Sequence, residues 1–142
     1  MRTHDPRRQE KRRKRQGVAA VEFALVGPLL TLLLIGVVVY GGWFLMAQSV
    51  QALASEGARA AVGGLDAAER EGLARREVTE AVRGVALNPA RTTIQVAEDE
   101  GRLRVVVIYD ASDSMIMALG GMLPRPPAVI QRAAVVHVGD YR

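Results

Sequence analysis

The longest apolar stretch of the chain runs from Phe23 to Ala47, where only Thr31, Tyr40 and Trp43 carry a polar group. At about 1.5 Å per residue, a helix over this stretch would be about 37 Å long, against about 30 Å for the hydrocarbon core of a bilayer. The pattern therefore predicts a membrane-spanning helix. Tyr40 and Trp43 fall where the far headgroup region should begin.

Beyond the apolar stretch, apolar and small residues recur at steps of three and four, which predicts one face of a continuing helix. These residues are Met46, Val50, Leu53, Gly57 and Ala61. We expect this helix to end at Gly63-Gly64. A second helix is predicted over residues 67–87, with Asp66 and Glu69 as its capping box, Leu65 as a hydrophobic staple and Asn88-Pro89 as its end.

The last third of the chain alternates apolar and polar residues, as strands do. We predict strands at 92–97, 103–109 and 128–138, with a turn at 98–101 and a short helical turn within 113–119. Both faces of the second strand are apolar, so it should be central. The predicted fold class is α+β: a long N-terminal transmembrane helix extends into a small extracytoplasmic unit of a second helix and about three antiparallel strands.

The charge is distributed unevenly, and this predicts the orientation in the membrane. Residues 1–17 hold eight of the 19 Lys and Arg residues, and the positive-inside rule places this side in the cytoplasm. Such a run can also bind nucleic acid, but it abuts the apolar stretch without interleaved aromatics, so we expect no nucleic-acid partner. A secretory signal peptide is the other alternative, although the apolar stretch is far longer than the usual 7–15 residues. The chain has no cysteine, which excludes disulfides and thiolate chemistry.

Glu22 is an acid at the cytoplasmic edge of the apolar stretch, where a charge is costly. One interpretation is that it reaches the interface and complements the N-terminal helix dipole. The surrounding residues favour another. The basic run ends at Gly17, Val18 follows, and Glu22 is the fifth residue after the glycine, followed by Phe23. This arrangement resembles the class III leader of type IV prepilins and pseudopilins. The resemblance implies cleavage after Gly17 by a prepilin peptidase, and pairing of Glu22 with the new amine of a neighbouring subunit, which sets the helix register.

The chain as a whole resembles the TadE-like pseudopilins of the tight-adherence (Flp) pilus system. The residues that carry the resemblance are 19–25, 28–30, 54–61 and 107–109. It implies a minor pseudopilin or pilus-assembly component in the bacterial inner membrane, with membrane lipid, other pilin-like subunits and a prepilin peptidase as partners. The expected organisation is a basic cytoplasmic leader over 1–17, a transmembrane helix over 18–47 and an extracytoplasmic TadE-like region over 48–142.

A short motif after the second predicted strand offers a different function. Asp110, Ser112 and Ser114 resemble the magnesium-binding opening of a von Willebrand A domain, and such oxygen ligands suit Mg²⁺. Too few residues follow to complete that domain, so a turn with Ser112 or Asp113 as its cap is the alternative, and we predict no metal and no cofactor. The alternative function is a membrane-anchored extracytoplasmic binding module that depends on a divalent cation. No catalytic set is visible, so we expect no enzyme.

Overall fold

The computed structural model describes the backbone from Pro6 to Val138, and the side chains from Gly17 onward except that of Met122. The first five residues of the predicted leader and residues 139–142 lie outside the described residues. The chain divides into two units, Met1–Val37 and Val38–Arg142, each treated separately below. Helix α1 (Pro6–Ala61) begins in the first unit and ends in the second.

In the first unit, α1 is an uninterrupted helix that continues through Pro28. Large apolar side chains are exposed all around it, as expected of a helix whose solvent is lipid rather than a protein core. Among the described residues, one helix is long and apolar enough, by length and composition, to cross a membrane, and it includes this stretch. The structure thus contains the candidate transmembrane helix that the apolar run predicts.

In the second unit, α1 buries one face, and this face is the predicted one. Val50, Leu53, Gly57 and Ala61 are buried and Met46 is half-buried. Burial on this helix begins at Val39, which is fully enclosed, so the buried face starts inside the predicted membrane span. The helix ends at Ala61, two residues before the predicted glycine pair.

Helix α2 (Ala67–Ala81) begins as predicted, with the Asp66 carboxylate accepting a hydrogen bond from the Glu69 backbone N at 2.8 Å. The Glu69 side chain closes the box by accepting from the backbone N of Leu65 at 2.8 Å. The Leu65 side chain is 89% exposed, so the predicted staple is wrong.

The predicted end of the second helix at residue 87 is also wrong. After Ala81 the chain tightens into a 3₁₀ turn, Val82–Gly84, and becomes extended at Val85. This exit places Leu87 in the core, where it is 7% exposed. Asn88 then caps a second 3₁₀ turn at Pro89–Arg91 by accepting a hydrogen bond from the Ala90 backbone N at 3.0 Å.

Three antiparallel strands follow, β1 (Thr92–Asp99), β2 (Arg102–Asp110) and β3 (Val129–His137), in the spatial order β1-β2-β3. The prediction of a central second strand is confirmed. Glu100 and Gly101 have φ of 47° and 70° between the paired residues Asp99 and Arg102. Positive φ at both positions is what a two-residue hairpin loop of type I′ requires.

The core of the second unit lies between the helices and the inner face of the sheet. Alternate β2 residues point into it, and all are buried: Leu103, Val105, Val107 and Tyr109. They pack in one cluster with small residues of α1 and with Ala74 and Val78 of α2. The architecture is α+β, a long apolar helix followed by a second helix and a three-stranded antiparallel sheet.

Candidate functional sites

The predicted processing residues all lie on the helical first unit. Gly17 and Val18 are within α1, and a Cβ added at Gly17 would have no other atom within 4 Å. Val18 is exposed, and so is Glu22, which lies one helical turn further on the same face. The ring of Phe23 lies beside Gly27, since a Cβ there would be 3.8 Å from the ring.

Glu22 stands on a surface that is otherwise apolar. Its nearest exposed neighbours along the helix include Val18, Val21, Phe23 and Val26. Among the residues whose side chains the structure describes, none forms a hydrogen bond or ion pair with Glu22. In a lipid environment, a carboxylate without a paired cation carries a desolvation penalty.

Residues 54–61, Ala-Ser-Glu-Gly-Ala-Arg-Ala-Ala, separate into two faces of α1. The face toward the core consists of small residues: Ala54, Gly57, Ala58 and Ala61 are all buried. The charged residues Glu56 and Arg59 are exposed. The motif therefore gives the helix a smooth side on which a second helix and a sheet can approach closely, as small residues do.

Gly57 is the point of closest approach. A Cβ added there would be 2.6 Å from Val78 Cγ2 of α2, 3.3 Å from Val105 Cγ1 of β2 and 3.4 Å from the Ala74 carbonyl oxygen. Sequence reasoning identified the motif but gave no role to this glycine. The available signal was the spacing of small residues at 54, 57, 58 and 61.

The structure gives Asp110, Ser112 and Ser114 local structural roles. Asp110 Oδ1 accepts hydrogen bonds from the Ser112 backbone N, at 2.9 Å, and from the Ser112 hydroxyl. Ser114 is the cap of helix α3 (Met115–Leu119), where its Oγ accepts a hydrogen bond from the Met117 backbone N at 3.4 Å. Of the three candidate ligands, hydrogen bonds therefore link Asp110 to Ser112, and Ser114 serves a separate helix cap.

A positive side chain already lies at this turn. Arg91 Nη1 is 3.5 Å from Asp110 Oδ2, and its other terminal nitrogen pairs with Asp113. The hydrogen bonds from Ser112, followed by the charge of Arg91, lower the pKa of Asp110 below its ordinary value. Over the part of the chain that the structure describes, no group of three or more His, Cys, Asp or Glu residues is placed to hold a metal ion.

These features define a class of protein in which a single apolar helix leads into a small α+β unit. Residues 17–59 match the family model described as TadE-like protein, which confirms the predicted resemblance. No curated protein and no solved structure matches the chain. The family match indicates involvement in tight-adherence pilus assembly and association with pilus components, and the apolar helix fits a single-pass membrane protein of such a system.

Proposed function

We propose that this protein is a minor pseudopilin or assembly component of a tight-adherence pilus, acting through helix association in the bacterial inner membrane rather than through catalysis. The observation that carries the proposal is the family match, which begins at Gly17 and covers the apolar helix together with residues 54–59 of the small-residue motif. In this proposal, the N-terminus is cytoplasmic, and the second unit contacts pilus or secretion partners on the opposite side.

Processing is the first step of the proposed mechanism. Cleavage of the peptide bond between Gly17 and Val18 would remove the strongly basic leader and leave a free α-amine on Val18. The leader anchors the chain on the cytoplasmic side, so its loss would ease later movement of the helix out of the bilayer. Gly17 suits such a site because it has no side chain, and no other atom of the described structure crowds its Cα.

Glu22 is the second part of the mechanism. The exposed carboxylate would pair with the Val18 amine of a neighbouring subunit, because an ion pair is stronger in a low dielectric than in water. A carboxylate without a partner there would carry a desolvation penalty of several kcal/mol. The pair would therefore select one register between packed helices, with Phe23 fixing the surface beside it.

Two experiments test the proposal. Co-expression with a prepilin peptidase should yield a mature chain whose N-terminal residue is Val18, as N-terminal sequencing would show. An intact N-terminus, in a host that processes other pilins, would overturn the processing step.

Exchange of the carboxylate tests the register step. Glu22→Gln should abolish incorporation into pilus assemblies while leaving membrane insertion intact, and Glu56→Gln, an exposed glutamate of the second unit, is the matched control. Normal pilus formation with Glu22→Gln would overturn the role given to this charge.

A further inference from the structure

A second apolar element, residues 115–127, has no part in the function proposed above. We call it the apolar loop; it comprises α3, a 3₁₀ turn at Gly120–Met122 and a proline-rich stretch that ends at Pro127. Arg125 is its only charged residue. Met115 is 80% exposed and Leu119 52% exposed, so the loop presents large apolar side chains outward from the second unit. Large apolar side chains exposed one helical turn apart point to a contact with a membrane or a protein.

The apolar loop is hydrogen-bonded to two aromatic residues of α1 within the second unit. The Tyr40 hydroxyl donates to the Pro124 carbonyl oxygen at 2.7 Å, and Trp43 Nε1 donates to the Pro127 carbonyl oxygen at 2.9 Å. These bonds give two loop carbonyl groups a protein partner. Irregular backbone near lipid requires such partners, because water is not available to bond it. The aromatic residues therefore both hold the loop and reduce the cost of placing it in an apolar medium.

The apolar loop lies directly on the helix at two glycines. A Cβ at Gly42 would overlap Ile116 Cδ1, so the Ile116 side chain of α3 lies against this glycine of α1. A Cβ at Gly120 would be 3.6 Å from Val39 Cγ1, and Val39 is fully buried. The loop is thus fixed at the level of helix residues 39–43.

That level lies within the outer end of the predicted membrane span, which runs to residue 47. Residues 18–37 alone form a helix of about 30 Å, which matches the hydrocarbon core. Residues 39–43 then lie in the outer interface, where Tyr and Trp concentrate. Because the apolar loop is bonded to Tyr40 and Trp43, it lies at the same depth.

We infer that the apolar loop is a second membrane contact, embedded in the headgroup layer of the outer leaflet of the same membrane. Met115 and Leu119 enter the acyl boundary, and the exposed Arg125 binds a lipid phosphate. The occupant of this surface is therefore phospholipid rather than another protein. The inference rests on the membrane insertion in the proposed function, and it adds a second contact between the chain and the bilayer.

The test uses single-cysteine variants of the full chain, which has no cysteine of its own. Met115→Cys and Leu119→Cys are labelled with an environment-sensitive fluorophore and reconstituted in vesicles of phosphatidylethanolamine and phosphatidylglycerol. Quenching by nitroxide lipids labelled near the headgroup is compared with quenching by aqueous iodide. We expect nitroxide to remove most of the emission at both positions, and iodide to have little effect.

Two control positions separate this inference from the proposed function. Leu30→Cys lies in the middle of the span and reports insertion, whereas Leu65→Cys is an exposed apolar position far along the second unit. If the label at Leu30 is not quenched by lipids that carry the nitroxide near the end of the acyl chain, the proposed membrane function fails. If it is quenched while Met115 and Leu119 respond to iodide as Leu65 does, the inference alone is overturned.

Protection of Met115 and Leu119 from both quenchers would also overturn the inference, since it would place a protein on the apolar loop. Arg125→Glu tests the phosphate contact, because the reversed charge should weaken lipid quenching at Leu119 and increase quenching by iodide. An unchanged signal in this variant would overturn the role given to Arg125.

Discussion

Gly57→Ala is the substitution for which the structure gives the sharpest expectation. The added Cβ would be 2.6 Å from Val78 Cγ2, a separation that real Cβ atoms essentially never show. Val78 is fully buried, and its β-branched side chain has one strongly preferred rotamer in a helix. It cannot turn away without disturbing its own neighbours, so either α1 or α2 must move.

Two opposing terms set the magnitude. Alanine is favoured over glycine by about 1 kcal/mol in a helix interior. Inserting a methyl group into a packed core costs about 1–3 kcal/mol, and the stiffness of Val78 places this site toward the upper end. We therefore expect Gly57→Ala to lower the free energy of unfolding by about 1–2 kcal/mol.

Gly72→Ala is the matched control, because Gly72 is an exposed position within α2 and a Cβ there would meet no atom within 4 Å. With no steric term, this variant should be stabilised by up to about 1 kcal/mol. The two substitutions are chemically identical and both lie in helices, yet the structure predicts opposite signs.

The difference can be measured by urea unfolding of the full chain in detergent micelles. The emission of Trp43, the only tryptophan, is the signal that monitors unfolding. With a slope of about 1 kcal/mol per molar, the Gly57→Ala midpoint should fall by about 1–2 M. In a Val78→Ala background the new methyl group has room, so the same substitution should no longer destabilise. If Gly57→Ala raises the midpoint as Gly72→Ala does, the close approach of the two helices is refuted.

Three further substitutions can be measured by the same unfolding assay. Asp66→Ala removes the cap of α2 and should lower the free energy of unfolding by about 1 kcal/mol; an unchanged midpoint would contradict the capping role. Tyr40→Phe removes the hydrogen bond to the Pro124 carbonyl and should cost about 1 kcal/mol, whereas a loss near zero would mean that the hydroxyl is equally well bonded elsewhere. The hydrogen bonds from Ser112 lower the pKa of Asp110 below its ordinary 3.8, so the folded state binds this proton less readily than the unfolded state. The contribution of Asp110 to the free energy of unfolding is therefore present above pH 3.8 and is lost as the pH falls through the lower folded-state pKa. Asp110→Asn should weaken the acid dependence of the urea midpoint. Equal acid dependence in both proteins would contradict this.

The sequence was sufficient for several elements whose pattern is local, although not for the Leu65 staple. The buried face of α1, the Asp66 cap and the central position of β2 follow from periodicity and from short-range hydrogen bonding. The end of α2 does not, because residues 82–87 are compatible with a helix, and the burial of Leu87 decides the outcome. Gly57 and Gly72 illustrate the same limit, since both are single helical glycines and only the tertiary neighbours distinguish them.

The candidate functional residues divide in the same way. Gly17, Val18 and Glu22 were identified by the resemblance of their surroundings to a class III leader, and the structure adds that they lie on one exposed helix. The position of the apolar loop against α1 could not be predicted from the sequence, because it depends on hydrogen bonds to residues more than 80 positions earlier in the chain.

The environment of α1 changes within its apolar stretch, although the hydropathy of the sequence does not. Both lipid and a protein core select apolar residues, so the run from Phe23 to Ala47 shows no break in composition. The change lies in which sides of the helix are exposed. Before Val38 the large side chains are exposed all around the helix, and from Val39 onward one face is buried while Phe44 and Leu45 remain exposed. A helix surrounded by lipid has no preferred side unless it meets another helix, whereas a helix on a sheet must have one. In the proposed membrane arrangement, the position at which a periodic buried face first appears, rather than the end of the apolar run, therefore marks where the helix would leave the hydrocarbon and begin to pack against the rest of the chain.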